Sequence, residues 1–167
     1  MAEITFKGIQ IRTSGSLPPV GSIAPEFCLV NTNLEEVKLS NFDGVRVLNV
    51  FPSVDTAVCA TSVRIFNKEA GSMDGVEVLN VSADLPFAHK RFCGAENLAG
   101  VVSLSCFRST FPEDYGLKID NGILAGLCSR VVIVVDSAGR VLYSEQVPDI
   151  GSEPNYDAAL AAATGKG

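Results

Sequence analysis

The chain has 167 residues, 47% of them apolar and 19% charged, with 13 basic against 19 acidic side chains and a formal net charge of −6. That length fits one domain spanning residues 1–167, able to bury about two-thirds of its unfolded surface, so neither a disulfide nor a metal is needed to hold it together. No basic cluster is present, which argues against a nucleic-acid partner, and no apolar run approaches the ~20 residues of a membrane span.

In chain order, "EITFKGIQIRT" alternates on both sides of Lys7-Gly8 and predicts a hairpin within Met1–Thr13. Ser14–Pro25 is rich in turn formers. Phe27–Val30 predicts a short strand and "VKLSNF", from Val37, another. Val45–Phe51 is a near-continuous apolar run, the pattern of a strand covered on both faces. Pro52 and Ser53 break it. Ala57–Ala70 predicts a helix, with Val63, Phe66 and Ala70 on one face and Arg64 and Lys68 on another. A loop at Gly71–Gly75 leads to a second buried strand, "VEVLNVSAD". Strand, helix and strand of these lengths make a unit with parallel strands. Asp84 is placed to cap a short helix from Pro86 to Gly94. "VVSLS" is a further strand, and residues 107–130 show no clear period. "RVVIVVDSAGRVLYSEQV" predicts a hairpin turning at Asp136–Gly139, and "EPNYDAALAAA" a last helix. The expected class is α/β with the thioredoxin-like plan: a central mixed sheet flanked by helices, preceded by an N-terminal β-hairpin.

The five cysteines stand at 28, 59, 93, 106 and 128. An odd number argues against a secreted disulfide framework, and the N-terminus lacks a basic stretch followed by an apolar core. The expected compartment is the reducing cytoplasm, where cysteines are buried, catalytic or metal-bound. Cys59 lies in the first turn of its predicted helix. Unpaired backbone N–H groups and the positive end of the helix dipole stabilise an anion there, and the thiolate is the nucleophilic form. Thr56 can cap that helix, and its hydroxyl can donate to the sulfur or to a substrate oxygen. Pro52 ends the strand and shapes the loop over the site. Alternatively Cys59 is a small buried hydrophobe. Its place at a strand-to-helix junction favours chemistry, because ligands of α/β sheets sit at such junctions.

"PSVDTAVC" matches the peroxiredoxin active-site pattern Pro-x-x-x-Thr-x-x-Cys at Pro52, Thr56 and Cys59. With "SADLPFAHKRFCGAE", the chain resembles the thiol peroxidase subfamily, the atypical two-cysteine peroxiredoxins of bacteria, over nearly its whole length. The resemblance implies that Cys59 is the peroxidatic cysteine, attacking hydrogen peroxide or an organic hydroperoxide. It implies that Cys93 is the resolving cysteine, that the two form an intramolecular disulfide, and that thioredoxin reduces it. Thr56 would hydrogen-bond the peroxide, Arg130 would stabilise negative charge at the site, and Pro52 would shield the sulfur. A homodimer, a role in antioxidant defence and no cofactor complete the expectation. Because a disulfide needs Cα atoms within about 7 Å, the two sulfurs are expected to be too far apart to bond until both helical turns unwind locally.

On residues alone, Arg130 reads as a surface arginine before a strand. His89, the only histidine, could pair with Cys59 only if the fold brought them together. His89 and Cys93 are four apart, but no Cys-x-x-Cys accompanies them, so no metal is expected. Cys28, Cys106 and Cys128 read as buried or inert thiols, although Cys128, near Arg130, could serve the site or resolve Cys59. "DNGILAGLC" is apolar and suited to border a pocket, which would favour alkyl or lipid hydroperoxides. Disulfide exchange and a non-enzymatic binding domain are the other two classes of function open to these residues.

Overall fold

Lys7 and Gly8 both take positive φ, 51° and 78°, the backbone of a tight turn whose twist matches that of its strands. The turn joins β1 (Glu3–Phe6) to β2 (Ile9–Arg12), which pair only with each other. Ile4 and Ile11 face each other across this ribbon and pack on Ile119 and Ile150. The structure is a computed structural model and describes residues 1–70 and 72–165. Gly71 of the predicted loop, and the side chain of Ala70, lie outside the described residues.

The main sheet has seven strands: β3 (Cys28–Asn31), β4 (Glu36–Lys38), β5 (Val45–Val50), β6 (Val76–Ser82), β7 (Val102–Ser105), β8 (Val131–Val135) and β9 (Val141–Gln146). Their order is β4-β3-β7-β6-β5-β8-β9. The three central strands β7, β6 and β5 run parallel and the other pairs are antiparallel. This is the expected mixed sheet. Helix α1 (Ala57–Ala70) crosses from β5 to β6, and α2 (Pro86–Glu96) from β6 to β7. The short α3 (Phe111–Asp114) follows β7, and α4 (Tyr156–Thr164) closes the chain. Among the described residues no helix is long and apolar enough to cross a membrane.

Alternation along the central strands divides the core. Leu48, Val50, Leu79, Val81 and Ile133 face Phe111 and Tyr115 on one side. Val47, Val78, Val132 and Val134 face Phe66 of α1 and Ala159 of α4 on the other. Both faces are covered, which is why β8 reads as an unbroken apolar run and β5 as a near-continuous one. Two polar residues interrupt β5. The buried Arg46 donates to the carbonyls of Leu39, Phe42 and Asp136, and Asn49 donates to Asn80 Oδ1 at 2.9 Å. These bonds offset part of the desolvation that burial imposes, since Arg46 Nε and Asn49 Oδ1 have no partner.

Four expectations need correction. "VKLSNF" is not one strand. After Lys38 the chain turns through a one-turn 3-10 helix, Leu39–Asn41, that buries Leu39, and Asn41 Oδ1 accepts from the Lys38 N–H at 2.7 Å. The first buried strand ends at Val50 and the second at Ser82, short of Phe51 and Asp84. Asp84 does not cap α2, because Leu85 is the cap residue and Asp84 bonds elsewhere. Finally, α2 passes Gly94 and stops at Glu96, where Asn97 turns left-handed with φ 54°.

Candidate active site

Proline at position 52 offers no N–H to a ladder, and β5 stops two residues before it. The chain then loops into α1. The Thr56 carbonyl accepts from Ala60 N–H at 3.0 Å, and its Oγ1 accepts from Cys59 N–H at 3.4 Å. Thr56 therefore caps the helix as its sequence position suggests. Cys59, the third residue of α1, is fully buried among Phe51, Val54, Val63 and Phe92.

Antiparallel pairing of β5 with β8 sets Val50 opposite Val131. That register carries Arg130, the residue before β8, to the end of β5 and so to Cys59. Arg130 is not on the surface; it is 2% exposed. Its Nη2 donates to Cys59 Sγ at 3.3 Å and its Nε to the Ile150 carbonyl at 2.9 Å. Its Nη1 has no protein partner. Among the described residues no carboxylate pairs with this guanidinium. A buried cation without an anion is costly, so the arrangement suits negative charge beside it.

Over Thr56 and Arg130 lies a cavity of about 290 Å³. Pro52 stands at its side, and Phe6 of the hairpin, Leu124, Leu127 and Ile150 supply apolar walls. The segment read as a pocket border does line one. Cys59 itself sits behind this surface. A larger cavity of about 490 Å³ lies by the β3–β4 edge, among Cys28, Glu36, Arg108 and Asp114, without a buried nucleophile.

Cys93, on α2, is half-buried, packs against the same cluster as Cys59, and has its sulfur 3.1 Å from Ser103 Oγ. All five cysteines are free. The fold thus brings Pro52, Thr56, Cys59, Cys93 and Arg130 to one region.

Behind the loop, Asp84 Oδ1 accepts from Ser53 Oγ at 2.7 Å and Oδ2 from the Val54 N–H at 2.9 Å. Ser82 Oγ donates to the same carboxylate and lies 3.0 Å from His89 Nε2. Burial pushes the His89 imidazole below its ordinary range, against the opposing charge of Asp84. Ser82 occupies Nε2 and Nδ1 has no protein partner, so neither ring nitrogen pairs with Cys59. Among the described residues no group of His, Cys, Asp and Glu could hold a metal. Sequence reasoning missed this latch, although the block "SADLPFAHKRFCGAE" contains three of its five residues, Ser82, Asp84 and His89. It also missed two exposed ion pairs, Arg64–Glu96 and Arg91–Asp55, that join α2 to α1 and to the loop before it.

The extra cysteines divide. Cys106 and Cys128 are buried, their sulfurs 3.6 Å apart. Cys28 is exposed, so of its two readings, buried or inert, the first does not hold.

Residues 19–160 match the Redoxin family. The chain is 54% identical to a thiol peroxidase of Corynebacterium glutamicum over 97% of its own length and 99% of that protein. It is 53% identical to a thiol peroxidase of Mycobacterium tuberculosis, over 97% of this chain and 98% of the other. It superposes on a crystal structure of a peroxiredoxin-like protein from Aquifex aeolicus with a TM-score of 0.94, at 38% identity, over 99% of this chain and 98% of that one.

Proposed function

The chain belongs to the Redoxin family and is a peroxidase of the peroxiredoxin type, and from this premise we propose that Cys59 is its peroxidatic cysteine and Cys93 its resolving cysteine. The contact of 3.3 Å between Arg130 Nη2 and Cys59 Sγ carries the reading. The family and its named relatives favour this reading over disulfide exchange without peroxide and over a purely binding role.

In the first step the Cys59 thiolate attacks one oxygen of the peroxide. An S–O bond forms and the O–O bond breaks. The departing oxygen takes a proton and leaves as water or an alcohol, and Cys59 is left as a sulfenic acid. Arg130 is placed to stabilise negative charge on the sulfur and, through its free Nη1, on the departing oxygen. Thr56 Oγ1 orients the oxygens, and Pro52 limits water at the sulfur. In the second step the Cys93 sulfur attacks the sulfenic sulfur, an S–S bond forms, and water leaves. Both thiols are packed in their helices, so α2 and the first turn of α1 open locally for this step. Thioredoxin supplies the two electrons that restore the dithiol.

The apolar walls support turnover of alkyl hydroperoxides alongside hydrogen peroxide. We read residues 1–167 as one catalytic domain acting in the cytoplasm as a homodimer, in antioxidant defence and redox homeostasis. One experiment tests the core of this reading. Reduced protein is treated with one equivalent of peroxide, alkylated, digested and mapped by mass. A Cys59–Cys93 disulfide, absent in Cys59→Ser, is the expected product. A Cys59–Cys128 disulfide would reassign the resolving role, and an unoxidised Cys59 would overturn the mechanism.

A further inference from the structure

Cys106 and Cys128 take no part in the steps above, yet their sulfurs are in van der Waals contact at 3.6 Å. A disulfide requires about 2.05 Å, an approach of roughly 1.5 Å from this contact. Two main-chain anchors hold the pair in place. Cys106 follows β7, and its N–H donates to the Ser82 carbonyl at 2.9 Å. Cys128 bridges Lys118, and its neighbour Ser129 donates to the Leu117 carbonyl at 2.9 Å.

We propose that Cys106 and Cys128 are a second peroxide-driven dithiol–disulfide couple of this chain, which fastens the wall of the substrate cavity to the end of β7. The oxidant is the peroxide this enzyme acts on, so the proposal does not depend on the roles given to Cys59 and Cys93. One sulfur of the pair takes an oxygen from the peroxide, the O–O bond breaks, and water or an alcohol leaves. The second sulfur attacks the sulfenic sulfur, an S–S bond forms, and water leaves with the two thiol protons accounted for. Two thiols are oxidised and one peroxide is reduced.

The place of the bond gives it a consequence. The cysteines are 22 positions apart. The closed loop holds Leu124 and Leu127, two walls of the cavity, and ends two residues before Arg130. Both thiols are buried, and the neighbouring sulfur and burial push the Cys128 thiol well above the usual range. Little of Cys128 is thiolate at neutral pH and both sulfurs are buried, so this oxidation is slow and responds to sustained peroxide rather than to a single turnover.

The test titrates reduced protein with peroxide and counts thiols after denaturation. The count is expected to fall from five to three with one equivalent, and to one in a slow second phase under excess, Cys28 remaining. Mapping is expected to find a Cys106–Cys128 peptide, in Cys59→Ser as well as in the unaltered chain. The doubly oxidised form is expected to melt about 5–10 °C higher, a shift that reverses with dithiothreitol. A count that stays at three, separate oxidation of either cysteine to an acid, or a bridge that needs Cys59 would overturn the proposal. Failure of the first phase alone bears on Cys59 and Cys93, not on this pair.

Discussion

Arg91 Nη2 lies 2.8 Å from Asp55 Oδ1, across the gap between the helix that carries Cys93 and the loop that leads into Cys59. Arg64 and Glu96 form a second tie with two hydrogen bonds, from α1 to the last residue of α2. If resolution requires α2 to open, both contacts resist it. We predict that Arg91→Ala and Arg64→Ala each speed disulfide formation about two- to fivefold, the scale of an exposed ion pair. Quenched-flow mass analysis after a peroxide pulse reads the rate directly. An unchanged rate in both variants would mean that α2 is not the moving part.

Arg130 makes two directional bonds that a lysine cannot reproduce together. Its Nε holds the Ile150 carbonyl while its Nη2 reaches Cys59. We predict that Arg130→Lys lowers kcat/KM for peroxide about 10²-fold, through the oxidation of Cys59 rather than the formation of the disulfide. Single-turnover measurements separate the two steps. Retention of the oxidation rate would remove Arg130 from the chemistry.

Thr56 caps α1 and faces the cavity. Thr56→Ser keeps the oxygen and is expected to stay within about threefold of full activity, whereas Thr56→Val is expected to lose ~10²-fold and about 1 kcal/mol of stability. Peroxidase assays beside urea unfolding check both numbers. Equal activity in the two variants would show that the hydroxyl does not meet substrate.

His89 makes stability depend on pH. Its folded-state pKa is depressed by burial, only partly restored by Asp84. Below about pH 6.5 the unfolded chain therefore takes up the proton more readily than the fold, and stability falls as pH falls through the folded value. The limiting slope is ~1.4 kcal/mol per pH unit. Glu96 and Glu113, held below the ordinary carboxylate range by Arg64 and Lys118, titrate lower and do not mask it. Urea unfolding between pH 5 and pH 7 (a range set by the histidine reference of about 6.5) is expected to show the slope, and His89→Asn to flatten it. A flat profile in the unaltered chain would refute the assignment.

Asp84 accepts from Ser53, Val54 and Ser82 at once. Asn in its place keeps one acceptor oxygen, so the loop over Cys59 loses a restraint. We predict about a tenfold slower Cys59 oxidation in Asp84→Asn, with the Cys59–Cys93 product unchanged. An unaffected oxidation rate would make the latch purely structural.

Local signals carried most of the fold. The hairpin turn at Lys7-Gly8 and the bounds of α1 follow from turn chemistry and helical spacing, which depend only on neighbours. Cys59 and Thr56 were legible for the same reason. Arg130 was legible only through family resemblance, because its meeting with Cys59 spans 71 positions and depends on the register of β5 with β8. Asp84 shows the opposite failure. An acidic residue just before Leu85-Pro86 suggests a cap, but the Val54 N–H, 30 positions away, claims its carboxylate. For Cys28 the buried alternative fails, because it faces outward beside Lys38 near a sheet edge. The contact of Cys106 with Cys128 had no local signature at all.

The N-terminal hairpin shares no ladder with the seven-stranded sheet, and isoleucine packing with a few single bridges holds it in place. Even so, Phe6 forms part of the cavity wall. Cys59 stands at the start of α1 and Arg130 just before β8, both placed by the seven-stranded sheet, while Phe6 belongs to a ribbon outside that ladder. On the proposed mechanism, changes at Phe6 are expected to shift the preference among hydroperoxides without altering Cys59 or Arg130. On that reading, the choice of substrate and the power to destroy it would be separately mutable.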